Sequence, residues 1–290
     1  MVSMQLVHSK LHSFNLECFI RGVFPDVYSL LEENATTFFA QYIKAQDGHK
    51  CSEFNVVMTG RLVNLLYGEG ESLIFRNPSL LPLQLVGMLL GLVVGAAINR
   101  SDGMSAAYSH AFMNFAGMNI ASIIGHCLAQ PSTIIWQFGI DVDVAFTGAS
   151  CICLILAALN SRGVCRSSQC SIRLIAPVCI GFMLLNTHFL RFSFMSELMY
   201  LGNLNIAAAV LFWHYSTMYY QHPQFSSYMS IALVAVLIGV SGILFEHNLC
   251  RVSFGSYSSI SAAFLACCVG FISVYCFAFD MEADKLRKKD

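Results

Sequence analysis

The chain has 290 residues, of which 56% are hydrophobic and only 11% charged, with a formal net charge of -1 and a mean hydropathy of +0.63. A soluble domain carries about a quarter charged residues, so this composition excludes an ordinary soluble fold and marks a polytopic, all-α membrane bundle. Lys and Arg form no cluster before the C-terminal tail, which excludes a nucleic-acid partner.

Residues 1–80 are of ordinary polarity and form an N-terminal extramembrane segment. Apolar positions Val27, Leu30, Leu31, Phe38, Phe39, Tyr42 and Ile43 are spaced as on a helix. Ser52 to Tyr67 is a second helical candidate, broken by Gly68-Glu69-Gly70, and Asn77-Pro78 marks a turn. The segment is too small for a sizeable core of its own, so it is expected to pack on the bundle or on a partner. The first twenty residues carry His8, Lys10, His12 and Glu17 without an apolar stretch, so no secretory signal is visible.

Residues 81–280 read as the membrane bundle. Seven apolar runs follow one another, at about 82–99, 104–126, 134–158, 172–190, 196–219, 228–246 and 257–279. Short polar connections predict antiparallel neighbours. Residues 281–290 form a charged tail. With seven spans, Arg100, Arg162, Arg166, Arg173 and the tail share one side, and Arg191 and Arg251 lie on the other. The positive-inside rule then puts the C-terminus in the cytosol or matrix. The organelle stays open between the mitochondrial inner membrane and an endomembrane.

Gly87, Gly91 and Gly95 line one face of the first span and let another backbone approach, either within the bundle or from a neighbouring subunit. Pro177 is expected to kink the fourth span. Trp213, Tyr215, Tyr219 and Tyr220 suggest an interfacial belt at the cytosolic end of the fifth. The 12 cysteines show no metal-type CxxC pair and read as small buried hydrophobes.

Asp141 and Asp143 sit inside an otherwise apolar run, and an intramembrane carboxylate is by default a functional-site hypothesis. Residues two apart face opposite ways on a helix, so at most one of the pair points at a given neighbour. Ser122 and His126, one turn apart at the same membrane face, are the expected neighbours across the hairpin. His247, at the end of the sixth run, is at the same level. His126, Asp141, Asp143 and His247 are the candidate metal ligands, and zinc is the metal such a set would suit.

Ser122-Ile123-Ile124-Gly125-His126-Cys127, followed by Gln130-Pro131, Asp143 (or Asp141) and Gly148, resembles the CREST superfamily of seven-span membrane proteins. That group includes alkaline ceramidases, GPI-processing lipases, adiponectin-type receptors and myomaker. The resemblance implies a metal-dependent lipid amidase or esterase, with Ser122, His126 and Asp143 around a zinc that activates water. It also implies two histidines at the start of the seventh span. This chain has Gly255-Ser256-Tyr257-Ser258-Ser259-Ile260-Ser261 there, and no histidine.

Three functions follow. The first is a non-catalytic structural or assembly subunit of a larger membrane complex, in contact with lipid and with other subunits through the glycine face or the N-terminal segment. The second is the zinc-dependent hydrolase. The third is a seven-helix receptor, which the short loops and tail disfavour.

Overall fold

The computed structural model describes residues 56–58, 73–75, 77, 80–98, 103–129, 133–165, 168–189, 194–221, 226–244 and 258–287. Two short strands, β1 (Val56–Met58) and β2 (Leu73–Phe75), pair antiparallel with Val56 opposite Phe75 and Met58 opposite Leu73. The helical expectation for Ser52 to Tyr67 is therefore corrected at β1. Adjacent β-branched Val56 and Val57 favour a pleated strand, and the partner strand supplies hydrogen bonds that a short isolated helix lacks. The helix expected around Val27 to Ile43 lies outside the described residues, as does His247.

The other described elements are helical. The helices are α1 (Leu80–Ile98), α2 (Gly103–Ser122), α3 (Ile134–Ser161), α4 (Gln169–Arg173), α5 (Ile175–Leu184), α6 (Phe194–Gln221), α7 (Ser226–Leu244) and α8 (Ser258–Arg287). A π-helical turn, Ile123–Leu128, extends α2, and a second, Leu185–Phe189, extends α5.

Among the described residues, five stretches are long and apolar enough to cross a membrane: Leu80–Ile98, Ala106–Leu128, Ile134–Ser161, Gln169–Thr187 and Ala262–Met281. They are compatible with an integral membrane location. The helix α7 adds a shorter apolar stretch, Ser226–Gly239. α6 is 28 residues long but carries Asn203, Asn205 and His214 among its apolar residues.

Helix ends follow local chemistry. Thr133 caps α3, its hydroxyl accepting from the Trp136 amide at 3.2 Å. The break between α4 and α5 at Leu174 falls three residues before Pro177, whose ring nitrogen cannot donate to the carbonyl one turn back. The expected kink is thus a break in the helix. Asn77 has φ 48, a left-handed conformation that Asn tolerates, and its carbonyl accepts from the Leu80 amide at 2.9 Å.

α2 and α3 form the centre of the bundle. Buried residues make up 56% and 61% of their spans, against 33% for α1 and 22% for the α4–α5 stretch. α2 packs on α1, α3 and α8; α3 packs on α2, α5 and α6; α7 joins α6 to α8. The main core cluster includes Tyr108, Phe112, Leu211, Tyr215, Met229 and Phe277. Tyr215 is fully buried, so it belongs to this core, whereas Trp213, Tyr219 and Tyr220 are exposed as a membrane belt requires. The difference is one of helical phase: Tyr215 lies on the inward face of α6.

Gly87, Gly91 and Gly95 all face α2 of the same chain. A methyl group at Gly91 would meet the Phe112 carbonyl oxygen at 2.5 Å and the Ala116 amide nitrogen at 2.8 Å. At Gly87 it would meet Asn119 Oδ1 at 2.6 Å, so a Cα hydrogen of Gly87 points at that oxygen as a weak donor. Small-residue contact of this kind drives helix association where lipid removes the hydrophobic incentive. The same seam carries a polar bond, from the Ser109 hydroxyl to the Gly95 carbonyl at 2.6 Å.

Because backbone stands in the way at Gly91, Gly91→Ala should destabilise the protein by about 1–3 kcal/mol. Gly202→Ala, where an added methyl meets nothing within 4 Å, should be neutral or slightly stabilising. Thermal unfolding of the two variants in detergent checks the contrast.

Candidate functional site

The two aspartates of α3 face opposite ways, as their spacing requires. Asp143 Oδ2 lies 3.5 Å from His126 Nε2, with the His side chain 35% and the Asp side chain 14% exposed. The contact is an ion pair when the imidazole is protonated. Asp141 is fully buried and accepts from Gln137 Nε2 at 3.1 Å and from the Thr187 hydroxyl at 2.9 Å.

Each aspartate therefore meets a π-helical turn. The turn in α2 carries His126 to Asp143, and the turn in α5 carries Thr187 to Asp141. The wide turn is visible in its i→i+5 bond, Ala129 amide to Ile124 carbonyl at 2.8 Å. Such turns inside α-helices occur frequently at functional sites.

The close approach of α2 to α3 at this level depends on two glycines. A methyl at Gly139 would lie 2.9 Å from the Gly125 amide nitrogen and 3.0 Å from its Cα. Gly125 stands one residue before His126, and Gly139 one turn before Asp143. This glycine pair was not singled out in the sequence. Its signal, a glycine within one turn of each of two facing polar residues, is visible only once the helices are paired.

Ser122 is drawn elsewhere. It is fully buried, and its hydroxyl accepts from Gln84 Nε2 of α1 at 2.6 Å. Cys127 Sγ donates to Gln84 Oε1 at 3.4 Å and lies 3.9 Å from the Asn77 carbonyl. Asn77 Nδ2 in turn donates to the His126 carbonyl at 2.9 Å. Among the described residues no hydrogen bond joins Ser122 to His126. Ser122 is thus engaged with α1, whereas His126 meets α3. Gln84 is the central member that the sequence reading missed, since one amide in an apolar run carries little signal by itself.

The result is a buried network tying α1, α2 and the Asn77 turn together, next to the His126–Asp143 contact between α2 and α3. Buried amides and hydroxyls in hydrocarbon need partners of this kind. A catalytic zinc takes three protein ligands and keeps a fourth position for water. Among the described residues no group of three His, Cys, Asp or Glu side chains converges. His126 and Asp143 meet, and Asp141 is turned toward Thr187 on the other face of α3.

Elsewhere in the bundle, Asn114 Nδ2 donates to Cys153 Sγ at 3.6 Å and the Ser150 hydroxyl to the Ala111 carbonyl at 3.0 Å. These bonds repeat the polar fastening of α2 to α3 deeper in the bundle. In comparison with known proteins, no family model, no curated protein and no solved structure matches this chain.

Gly139→Ala should force α2 and α3 apart, lowering stability by about 1–3 kcal/mol and separating His126 from Asp143. Gly181→Ala, on an open face of α5, is the control expected to leave both unchanged. Thermal unfolding reads the stability. Cross-linking between cysteines placed on the facing helices reads the spacing.

Proposed function

We propose that this chain is a non-catalytic membrane protein, a structural or assembly subunit of a larger membrane complex. One observation carries the reading: the buried polar groups at the candidate site are spent on holding helices together. Ser122 is held by Gln84 of α1, and Asp141 of α3 by Thr187 at the end of α5. A nucleophile must instead present its lone pair to a substrate, and a general base must present its lone pair to a water.

In this reading seven spans cross the membrane, α6 and α7 included. At 1.5 Å per residue, helices of 28 and 19 residues reach across a hydrocarbon core of about 30 Å. The basic side, with Arg100, Arg162, Arg166, Arg173 and the tail, is then cytosol or matrix, and the N-terminal segment lies opposite. The membrane is the mitochondrial inner membrane or an endomembrane. Since α2 fills the glycine face of α1, a partner subunit would meet the N-terminal segment or the outer faces. Those faces expose Leu89 and Val93 on α1 and Val178 and Phe182 on α5, which also suit lipid.

A second reading rests on the His126–Asp143 contact. It supports a metal-dependent lipid amidase or esterase like those of the CREST group, with zinc held by His126 and Asp143. His247 would be a further ligand, and Asp141 would have to leave Thr187 to join. When bound, the zinc would supply a polarised water for attack on an amide or ester carbon.

Native-complex size measured together with metal content separates the two. The assembly reading predicts migration in a particle well above the 32.0 kDa of the chain, with zinc far below one atom per chain. A monomer with stoichiometric zinc, and lipid turnover abolished by His126→Ala, would establish the hydrolase instead.

A further inference from the structure

Arg162 follows directly on the apolar span Ile134–Ser161, and α6 holds its side chain in one orientation. Its Nε donates to His214 Nδ1 at 3.3 Å, and a terminal nitrogen donates to the His214 carbonyl at 3.4 Å. The guanidinium lies 4.0 Å from the centroid of the Trp213 ring. A guanidinium only donates, so Nδ1 accepts and the imidazole is uncharged. Each of these partners is neutral: an imidazole, a carbonyl and an indole face. The carbonyl end of α3 adds a partial negative charge of about half a unit. Among the described residues no carboxylate pairs with Arg162.

The surface beside this cation is graded from apolar to polar. Trp213 is exposed, and so are Ile206 and Tyr220, placed seven residues before and seven after it on α6. Seven residues make close to two helical turns, so the three side chains share one face at intervals of about 10 Å. The polar layer on each side of a bilayer core is about 5–8 Å thick. With Trp213 at the edge of the hydrocarbon, Ile206 lies among acyl chains and Tyr220 on the aqueous side. α3 gives Arg162 the same depth, because its apolar span ends at Ser161.

We propose that Arg162 and Trp213 form a headgroup site for an anionic phospholipid. The phosphate diester pairs with the guanidinium, and the acyl chains lie along Ile206 and the exposed Phe212. Charge complementarity selects the occupant: a fixed cation whose partners are all neutral stands beside apolar surface, at the depth of lipid phosphates. The planar fork of Arg matches a phosphate with paired donors, and at the edge of hydrocarbon the attraction is stronger than in bulk water. A lipid that balances its phosphate with its own headgroup cation gains less from the site. The proposal rests on the membrane location and is independent of the assembly reading.

The test is thermal unfolding of the full chain in phosphatidylcholine nanodiscs with and without phosphatidylglycerol. Wild type should melt about 2–4 °C higher with phosphatidylglycerol, because a ligand that binds only the folded state stabilises it. Arg162→Gln should abolish that difference. Arg173→Gln, which removes an exposed charge from the neighbouring helix α4, should keep it. Inorganic phosphate added to phosphatidylcholine discs should not reproduce it. Equal melting of wild type in the two lipids overturns the proposal. So does a difference that survives Arg162→Gln or vanishes in Arg173→Gln, or a shift produced by free phosphate. Arg162 also joins α3 to α6, so its loss lowers Tm in both lipids, and only the difference between lipids is read. Native mass spectrometry of wild type released from mixed nanodiscs is a second measurement that needs no variant. Phosphatidylglycerol should be retained in preference to phosphatidylcholine, and equal retention overturns the proposal. Neither measurement reads native-complex size, so the site can fail while the assembly reading stands.

Discussion

The polar end of this bundle depends on how closely α2 can approach its neighbours. Glycine permits the approach on both sides: Gly91 lets α1 reach the Phe112 carbonyl, and Gly139 sits against Gly125 on the side of α3. Lipid gives helices no hydrophobic reason to pair, so association rests on close packing and on interhelical polar bonds. In this protein the two occur together. Where glycine brings backbones near, a short side chain such as Ser109 or Ser122 finds a partner on the adjacent helix.

This constraint explains why intramembrane carboxylates are tolerated here. An ionisable residue at the bilayer centre faces the bundle interior and pairs. Asp141 and Asp143 sit near one end of α3, and each has a polar partner delivered by a π-helical turn. The two turns direct His126 and Thr187 toward opposite faces of the same helix. α3 thereby becomes the post to which α2 and α5 are both fastened, consistent with its being the most enclosed span. At the other end, Arg162 fastens α3 to α6 by a different chemistry, stacking on Trp213 and donating to His214.

Much of this was legible in the sequence. Composition and run length pointed to a helical bundle with apolar spans, and among the described residues five meet the length and apolarity for crossing. The i, i+2 spacing put the two aspartates on opposite faces, and the Gly87, Gly91, Gly95 period marked a seam of close contact. The missed features share one cause, because each depends on phase or pairing rather than on residue type. A π-helical turn leaves no signature in hydrophobic period, and Ser122, expected beside His126 and an aspartate, bonds instead to Gln84 of α1. Gln84 and the Gly125–Gly139 contact became visible only with α1, α2 and α3 side by side. Tyr215 looked like a belt residue because its neighbours are, yet one step around α6 turns it inward. At Val56–Met58, a short apolar run fitted a helix until its strand partner, Leu73–Phe75, was present.

The central claim is that the aspartate end is an interhelical clamp whose members act as a unit. The most direct measurement is a thermal-unfolding cycle over His126→Ala, Asp143→Ala and the double variant in one membrane mimetic. A clamp predicts a coupling between the two side chains of about 0.5–2 kcal/mol, in line with interhelical polar contacts in membranes. Losses that add to within about 0.3 kcal/mol would mean that the two residues act independently, and would contradict it.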